Sequence, residues 1–204
     1  MAQQTRKPEI LFLSSTEGLP VLTELATLVT NLPSPDTWAI PHLWNSNLFT
    51  PGASFLASLL SKTKRVDFEV ILLAPDDQLI SRTMPFSAPR DNVLVEAGLC
   101  IGRLDPEYAV LVVESHTTPA GETITPKLPT DLDGLVRVDF SLPAGYSNFP
   151  SERRIAEIRT ALEPVKQYLR THFQSATKPP PGRSALAVVQ SRTNDRFIQP
   201  PGGL

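Results

Sequence analysis

The sequence predicts an α/β fold, with a five-stranded parallel sheet and helices on both faces. Two observations predict it. Strand-like and helix-like patterns alternate along the chain, and Phe68 to Ala74 is nearly all apolar. A continuous apolar run suits a strand covered on both faces. The alternation implies parallel strands joined by right-handed crossovers.

Each element has its own signal. Glu9 to Ser14 is a β-type run around Ile-Leu-Phe-Leu. Leu19 to Leu32 reads as a helix, with Leu22, Leu25, Leu28 and Val29 at helical spacing. Thr37 to Leu43 is a second strand, and Pro41 assigns it to an edge, where a missing N–H costs least. Pro51 to Lys64 is a second helix with proline near its start. After the Phe68–Ala74 strand, Pro75 to Arg90 reads as irregular. It is long for a connection in a compact domain and is a candidate lid or binding loop. The polar pair Asp91-Asn92 is suited to capping the next helix. Tyr108 to Glu114 is a fourth strand, His116 to Thr130 is polar and proline-rich, and Leu135 to Phe140 is a fifth strand. Ser151 to Phe173 is an amphipathic helix with Ile155, Ile158, Leu162, Val165 and Leu169 on one face.

The natural strand order for this series is the flavodoxin-like 2-1-3-4-5, in which ligands bind beyond the carboxyl ends of the strands where the order reverses. Ser14-Ser15-Thr16, Pro75-Asp76-Asp77 and the start of the helix after Arg90 meet there. Residues 1–174 form one domain on this reading, and 175–204 form a proline-rich flexible tail or linker, marked by Lys178-Pro-Pro-Pro-Gly. Ala185-Leu-Ala-Val-Val is the tail's only apolar patch and a candidate short strand.

Composition excludes several function classes. A net charge of −2 makes no electrostatic case for nucleic acid or an anionic membrane. The single cysteine, Cys100, rules out an intramolecular disulfide and a cysteine-cluster metal site. His42, His116 and His172 are scattered and show no metal-ligand spacing. No apolar run approaches the ~20 residues that span a bilayer, and the amino terminus lacks the apolar core of a signal peptide. The sequence therefore reads as cytoplasmic.

No phosphate-binding glycine fingerprint and no G-x-S-x-G nucleophile elbow occurs. Ser14 and Ser15 follow a strand, but no histidine is placed to activate them, which makes them turn residues in the first instance. Gly98 and Gly102, four apart, read as allowing close packing of their helix against the sheet. Glu96 remains. It falls at the edge of the apolar stripe formed by Val93, Ala97, Cys100, Ile101 and Leu104. A charge there costs free energy unless it is paired or used by a site. A capping box is excluded, because the partner of Asn92 would be Val95 and that of Asp91 would be Leu94. Periodicity fits an ion pair with Arg90 or Arg103 as well as it fits a chemical role. A lone carboxylate beside a sugar can stabilise or attack an oxocarbenium-like centre. It needs no general acid when the leaving group already carries a positive charge, as oxidised nicotinamide does.

Four segments carry a resemblance: Trp44-Asn-Ser-Asn-Leu-Phe-Thr-Pro-Gly, Asp76-Asp77, Ala88-Pro-Arg-Asp-Asn-Val-Leu-Val-Glu-Ala-Gly, and Lys127-Leu-Pro-Thr-Asp-Leu-Asp-Gly-Leu. They resemble the bacterial TIR-like family found in anti-phage systems driven by cyclic nucleotides, over roughly Glu9 to Phe173. The resemblance implies a TIR fold and hydrolysis of oxidised nicotinamide adenine dinucleotide (NAD+) to nicotinamide and linear or cyclic ADP-ribose. NAD+ is then a substrate, and no cofactor or metal is implied. Glu96 aligns with the family's catalytic glutamate. Ser14, Ser15, Trp44, Asp76, Asp77, Arg90, Asp91 and Asn92 are the implied substrate-binding residues. The family further implies self-association through TIR domains and a cyclic-nucleotide sensor domain or partner, with no direct nucleic-acid or membrane contact. No second domain is visible in this sequence, which departs from the usual pattern. Two alternatives stand beside this reading. One is a nucleoside 2-deoxyribosyltransferase-like enzyme, whose motif also joins Asp or Asn to a later Glu-x-Gly and which works through a sugar–glutamate adduct. The other is a non-enzymatic TIR adaptor or nucleotide-sensing module.

Overall fold

The computed structural model describes residues 7–46 and 54–175. The expected helix start at Pro51, the Asn47–Gly52 part of the Trp44 segment and the tail from 176 onward, with its Ala185 patch, lie outside the described residues. In chain order the elements are β1 (Glu9–Leu13), α1 (Leu19–Thr30), β2 (Ile40–Leu43), α2 (Phe55–Thr63), β3 (Phe68–Leu73), β4 (Asp77–Ser81), β5 (Met84–Ala88), α3 (Asp91–Leu104), β6 (Ala109–Thr117), β7 (Thr123–Ile124), β8 (Arg137–Pro143) and α4 (Ser151–Ser175).

The parallel sheet runs β2-β1-β3-β6, with β8 parallel to β6 on its far side. This is the expected 2-1-3-4-5 order. Every residue of β3 is buried, as its apolar run requires. β2, which carries Pro41, is the edge strand that Pro41 predicts. Phe68 packs on Tyr108 and Phe173, with ring centroids 5.9 and 4.3 Å away, so α4 is fastened to the amino end of the sheet. The buried stripe of α4 is Ile158, Leu162, Val165, Leu169 and Phe173, while Ile155 at its start is exposed. α1 carries proline in its first turn, and Asn31 closes it in a left-handed conformation (φ 64°) that returns its N–H to the Thr27 carbonyl. Ser54 caps α2 by accepting from the Ala57 N–H at 3.2 Å.

Three expectations need correction. First, Pro75–Arg90 is no irregular loop: Asp77–Ser81 and Met84–Ala88 form an antiparallel hairpin, a two-stranded sheet of its own. Its turn residues, Arg82 (φ 49°) and Thr83 (φ 69°), are both left-handed, as a tight hairpin needs, although neither is the Gly or Asn that usually advertises such a turn. Second, Asp91-Asn92 does not cap α3. The N-cap is Arg90, with no side-chain cap bond, and the Asp91 carboxylate accepts from the neighbouring Asn92 N–H at 2.7 Å. Third, Gly98 and Gly102 are exposed, and a Cβ at either would meet nothing within 4 Å among the described residues. They do not draw α3 onto the sheet. In addition, β6 continues through His116 and Thr117 into the stretch read as polar loop, where β7 pairs with it antiparallel. Since β8 holds the other edge of β6 at those same residues, β7 lies on the β3 side, beyond the carboxyl end of β3. Among the described residues no helix is long and apolar enough to cross a membrane.

Glu69 is the one ionisable side chain inside β3. It is fully buried, and neither carboxylate oxygen has a hydrogen-bond partner among the described residues, although the Cys100 thiol of α3 faces it. Burial pushes its pKa up to about 7, and the thiol opposes this weakly. The folded state therefore holds a proton that the unfolded chain releases near the ordinary carboxylate range. Stability from this group is full below that range and is lost as pH rises through about 7. Glu69→Gln is expected to flatten the fall in thermal midpoint between about pH 5 and about pH 8. Thermal melts across that range check it, and an unchanged slope would show that Glu69 does not carry the proton.

Candidate active site

The site is built at the carboxyl ends of β1 and β3 and at the start of α3. Ser14 and Ser15 leave β1 buried. The Ser14 hydroxyl donates to the Ser15 carbonyl at 2.8 Å and accepts from the Trp44 indole N–H at 3.3 Å. Ser15 Oγ accepts the Gly18 N–H at 3.0 Å and faces the Asp76 carboxyl. The loop after β1 thus meets the residue after β3. Gly18 is needed here for room: a Cβ would stand 3.2 Å from Leu72 Cδ2 and 3.3 Å from both Ser14 Cβ and Ser15 Oγ. Trp44 is half-buried and meets Phe55 of α2 edge-on at 6.4 Å.

Arg90 is the cation of the cleft. One guanidinium nitrogen lies 2.5 Å from Glu17 and another 3.5 Å from Asp77, so a single arginine bridges the loop after β1 and the base of the hairpin. Ser15, Thr16, Glu17, Asp77, Arg90, Asp91 and Asn92 line a polar cleft of ≈ 430 Å³. Five of the expected residues (Ser15, Asp77, Arg90, Asp91 and Asn92) therefore share one wall system. Ser14, Trp44 and Asp76 support it from behind through the contacts above. Asp76 has its pKa raised, first by burial and further by the charges of Glu17 and Glu114, against the Ser15 hydrogen bond and Arg90.

Glu96 does not line that cleft. It sits one helical turn along α3 from Asn92 and is only 7% exposed. The ion-pair reading finds no support: Arg90 is engaged by Glu17 and Asp77, the buried Nε of Arg103 has no hydrogen-bond partner among the described residues, and Glu96 has no hydrogen bond or ion pair to any described residue. Burial alone pushes its pKa up to about 7. It is thus a carboxylate poised between its two protonation states, one helical turn from a polar cleft whose Arg90 is surrounded by Glu17, Asp77 and Asp91. Thr16 belongs to the Ser14-Ser15-Thr16 segment expected there, whereas Glu17 and Gly18 are members that sequence reading missed. Among the described residues no group of three or more His, Cys, Asp or Glu is placed to hold a metal ion. A larger cleft of ≈ 620 Å³ lies between the ends of β6 and β8 and α4, but its walls are mostly apolar and hold none of the expected residues.

Comparison with known proteins points the same way. The model of the CAP12/Pycsar effector protein TIR domain matches residues 11–142. CD-NTase-associated protein 12 of Sphingobacterium faecium is 32% identical over 161 residues, covering 79% of this chain and 45% of that protein. The Pycsar effector protein PaPycTIR of Pseudomonas aeruginosa is 29% identical over 164 residues, 80% of this chain and 46% of the relative. The Pycsar effector protein BcPycTIR of Burkholderia cepacia is 31% identical over 135 residues, 66% of this chain and 40% of the relative. The chain thus spans less than half the length of each of these relatives.

The Ser15 contacts hold the loop after β1 in place. Ser15→Ala leaves the buried Gly18 N–H without its acceptor and is expected to cost about 1–2 kcal/mol. Urea unfolding of wild type and variant measures the loss. Equal midpoints would mean that the loop is held by something other than this hydroxyl.

Proposed function

The chain belongs to the CAP12/Pycsar effector TIR-domain family, and on that premise we propose that it cleaves NAD+ to nicotinamide and a linear or cyclised ADP-ribose in anti-phage defence. The observation that supports this reading is Glu96, a buried carboxylate with no counter-ion among the described residues, set just behind a polar cleft. As the N-glycosidic bond lengthens, positive charge moves from the nicotinamide ring to the ribose anomeric carbon. Nicotinamide then leaves neutral, with no proton to supply. A carboxylate in a water-poor setting stabilises that developing cation far more than one in solvent. Glu96 fills this role, either by facing the sugar or by holding the ribose hydroxyls.

The mouth of the cleft suits the rest of the substrate. Arg90, at the start of α3, is the proposed contact for the diphosphate. Arg90 already holds Glu17 and Asp77, so a diphosphate enters by displacing at least one of those carboxylates. Asp76, facing Ser15, is the proposed partner of ribose hydroxyls, and the Trp44 indole bonds Ser14 in the loop beside it. Relatives named as CD-NTase-associated proteins or Pycsar effectors make a nucleotide signal, sensed elsewhere or by a partner, the proposed trigger. Self-association through the TIR fold is the proposed route to the active state.

The test is nicotinamide release from NAD+ by wild type and Glu96→Gln, at high protein concentration with a crowding agent. Wild type is expected to release nicotinamide, and Glu96→Gln to lose roughly a hundredfold or more. Full turnover by Glu96→Gln would end the reading. The wild-type rate is expected to climb as pH rises through about 7, where Glu96 ionises. A flat profile across that range would remove Glu96 from the rate-determining charge. Deoxyadenosine formed from deoxyinosine and adenine would instead favour the transferase.

A further inference from the structure

The two edges of the β4–β5 ribbon differ. Its tight turn at Arg82-Thr83 makes Ser81 and Met84 the first bonded pair, followed by Leu79 with Phe86 and Asp77 with Ala88. The backbone groups of Gln78 and Ile80 on β4, and of Pro85 and Ser87 on β5, therefore point away from the ribbon. The β5 edge is closed to a further strand: Pro85 has no N–H, and the Ser87 carbonyl accepts the Lys127 N–H at 2.7 Å. The β4 edge is open. Among the described residues no backbone hydrogen bond reaches Gln78 or Ile80 from outside the ribbon. Ile80 is also 77% exposed, more than any other large apolar side chain described. Bare sheet edges are usually blunted by charge, proline or a bulge. β5 has its proline, whereas the outward positions of β4 carry none of these.

An open edge can pair with itself when two copies meet antiparallel about a two-fold axis. The outward groups permit a register in which Gln78 of each copy bonds Ile80 of the other and the two Leu79 residues lie opposite. Three features fit it. Leu79 and Phe86 share one face of the ribbon, so an apolar row of Phe86, Leu79, Leu79 and Phe86 runs unbroken across four strands. Ser81 stands opposite Asp77 of the second copy, which sets Arg82 at each tip beside the Asp76-Asp77 pair at the other base. Positive charge thus meets negative charge twice, once at each end. A two-stranded ribbon, marginal by itself, also becomes a four-stranded sheet. We propose that β4 is a docking edge for β4 of a second copy of this chain, joined by antiparallel strand addition in this register. Asp77 is one of the two carboxylates on Arg90. Arg82 of the second copy therefore competes for Asp77 and loosens Arg90 at the cleft. This gives a surface to the self-association proposed above, and only its effect on turnover rests on the NAD+ reading.

Sedimentation of the whole chain over a wide concentration range tests the pairing without any substrate. Wild type is expected to pass from the monomer mass toward twice that mass as concentration rises. Ile80→Pro removes only an outward N–H, as Pro85 does across the ribbon, and is expected to stay monomeric with an unchanged circular dichroism spectrum. A wild type that stays monomeric throughout, or a dimer that survives in folded Ile80→Pro, overturns the proposal. Leu79→Cys gives a second arm that does not depend on the proline variant folding. Directly opposed positions bring the two Cα atoms within disulfide range, and the native Cys100 is buried. Under diamide, Leu79→Cys is expected to form a covalent dimer severalfold faster than Met84→Cys, which is also exposed but lies on β5. Equal rates overturn the register. Where wild type turns NAD+ over, Ile80→Pro is further expected to lose the rise of specific activity with protein concentration. Failure of NAD+ turnover would leave the sedimentation and cross-linking results standing, so the two readings fail separately.

Discussion

The whole arrangement depends on β3 being covered on both faces. A strand whose six residues are all buried holds one ionisable group, Glu69, only at the cost of a raised pKa, and leaves the other polar groups to the strand ends. Parallel neighbours joined by helical crossovers then align the carboxyl ends of β1, β3 and β6 on one side. Ser14, Ser15, Asp76 and Glu114 all emerge at that side, from three different strands. The Ser14-Ser15 pair, Asp76 and Glu114 are far apart in sequence, yet the parallel sheet brings Ser15 and Asp76 face to face. The apolar interior creates the polar site by leaving it only one place to be.

That placement concentrates acidic groups. Glu17, Asp76 and Asp77 gather around Arg90, and Glu17 and Asp77 already hold it. Burial raises the pKa of Asp76 and, more strongly, that of Glu96, to about 7. On the NAD+ reading proposed above, this balance suits an anionic diphosphate at Arg90 and a developing cation at Glu96.

Much of this was legible in the sequence, for identifiable reasons. The Phe68–Ala74 run set the central strand, Pro41 marked an edge, and the stripe around Cys100 made Glu96 conspicuous. The resemblance carried by Arg90 to Gly98 supplied the chemistry that the stripe alone left open. What stayed hidden depends on contacts between distant segments. The hairpin was masked because Arg82 and Thr83 adopt left-handed conformations without the residue types that usually signal them. Glu69 was hidden inside an apolar run, where one letter cannot tell a charged side chain from a protonated one. Glu17 and Glu114 belong to the neighbourhood of the cleft only because parallel strands bring their ends together.

The β4–β5 hairpin has a consequence for the energy landscape of this domain. A two-stranded ribbon is marginal in water without further cover. This one exposes Ile80, Met84, Leu79 and Phe86, and is moored to the stretch after β7 by the Lys127 N–H to the Ser87 carbonyl at 2.7 Å and by the Lys127 ammonium 4.3 Å from the Phe86 ring centre. It therefore belongs among the segments of lowest local opening free energy, well below the global unfolding of the sheet. Its two ends are Asp77 and the residues just before Arg90. Breathing of the ribbon is thus transmitted straight to the ion pairs at the mouth, while β3 and β6 stay closed beneath it.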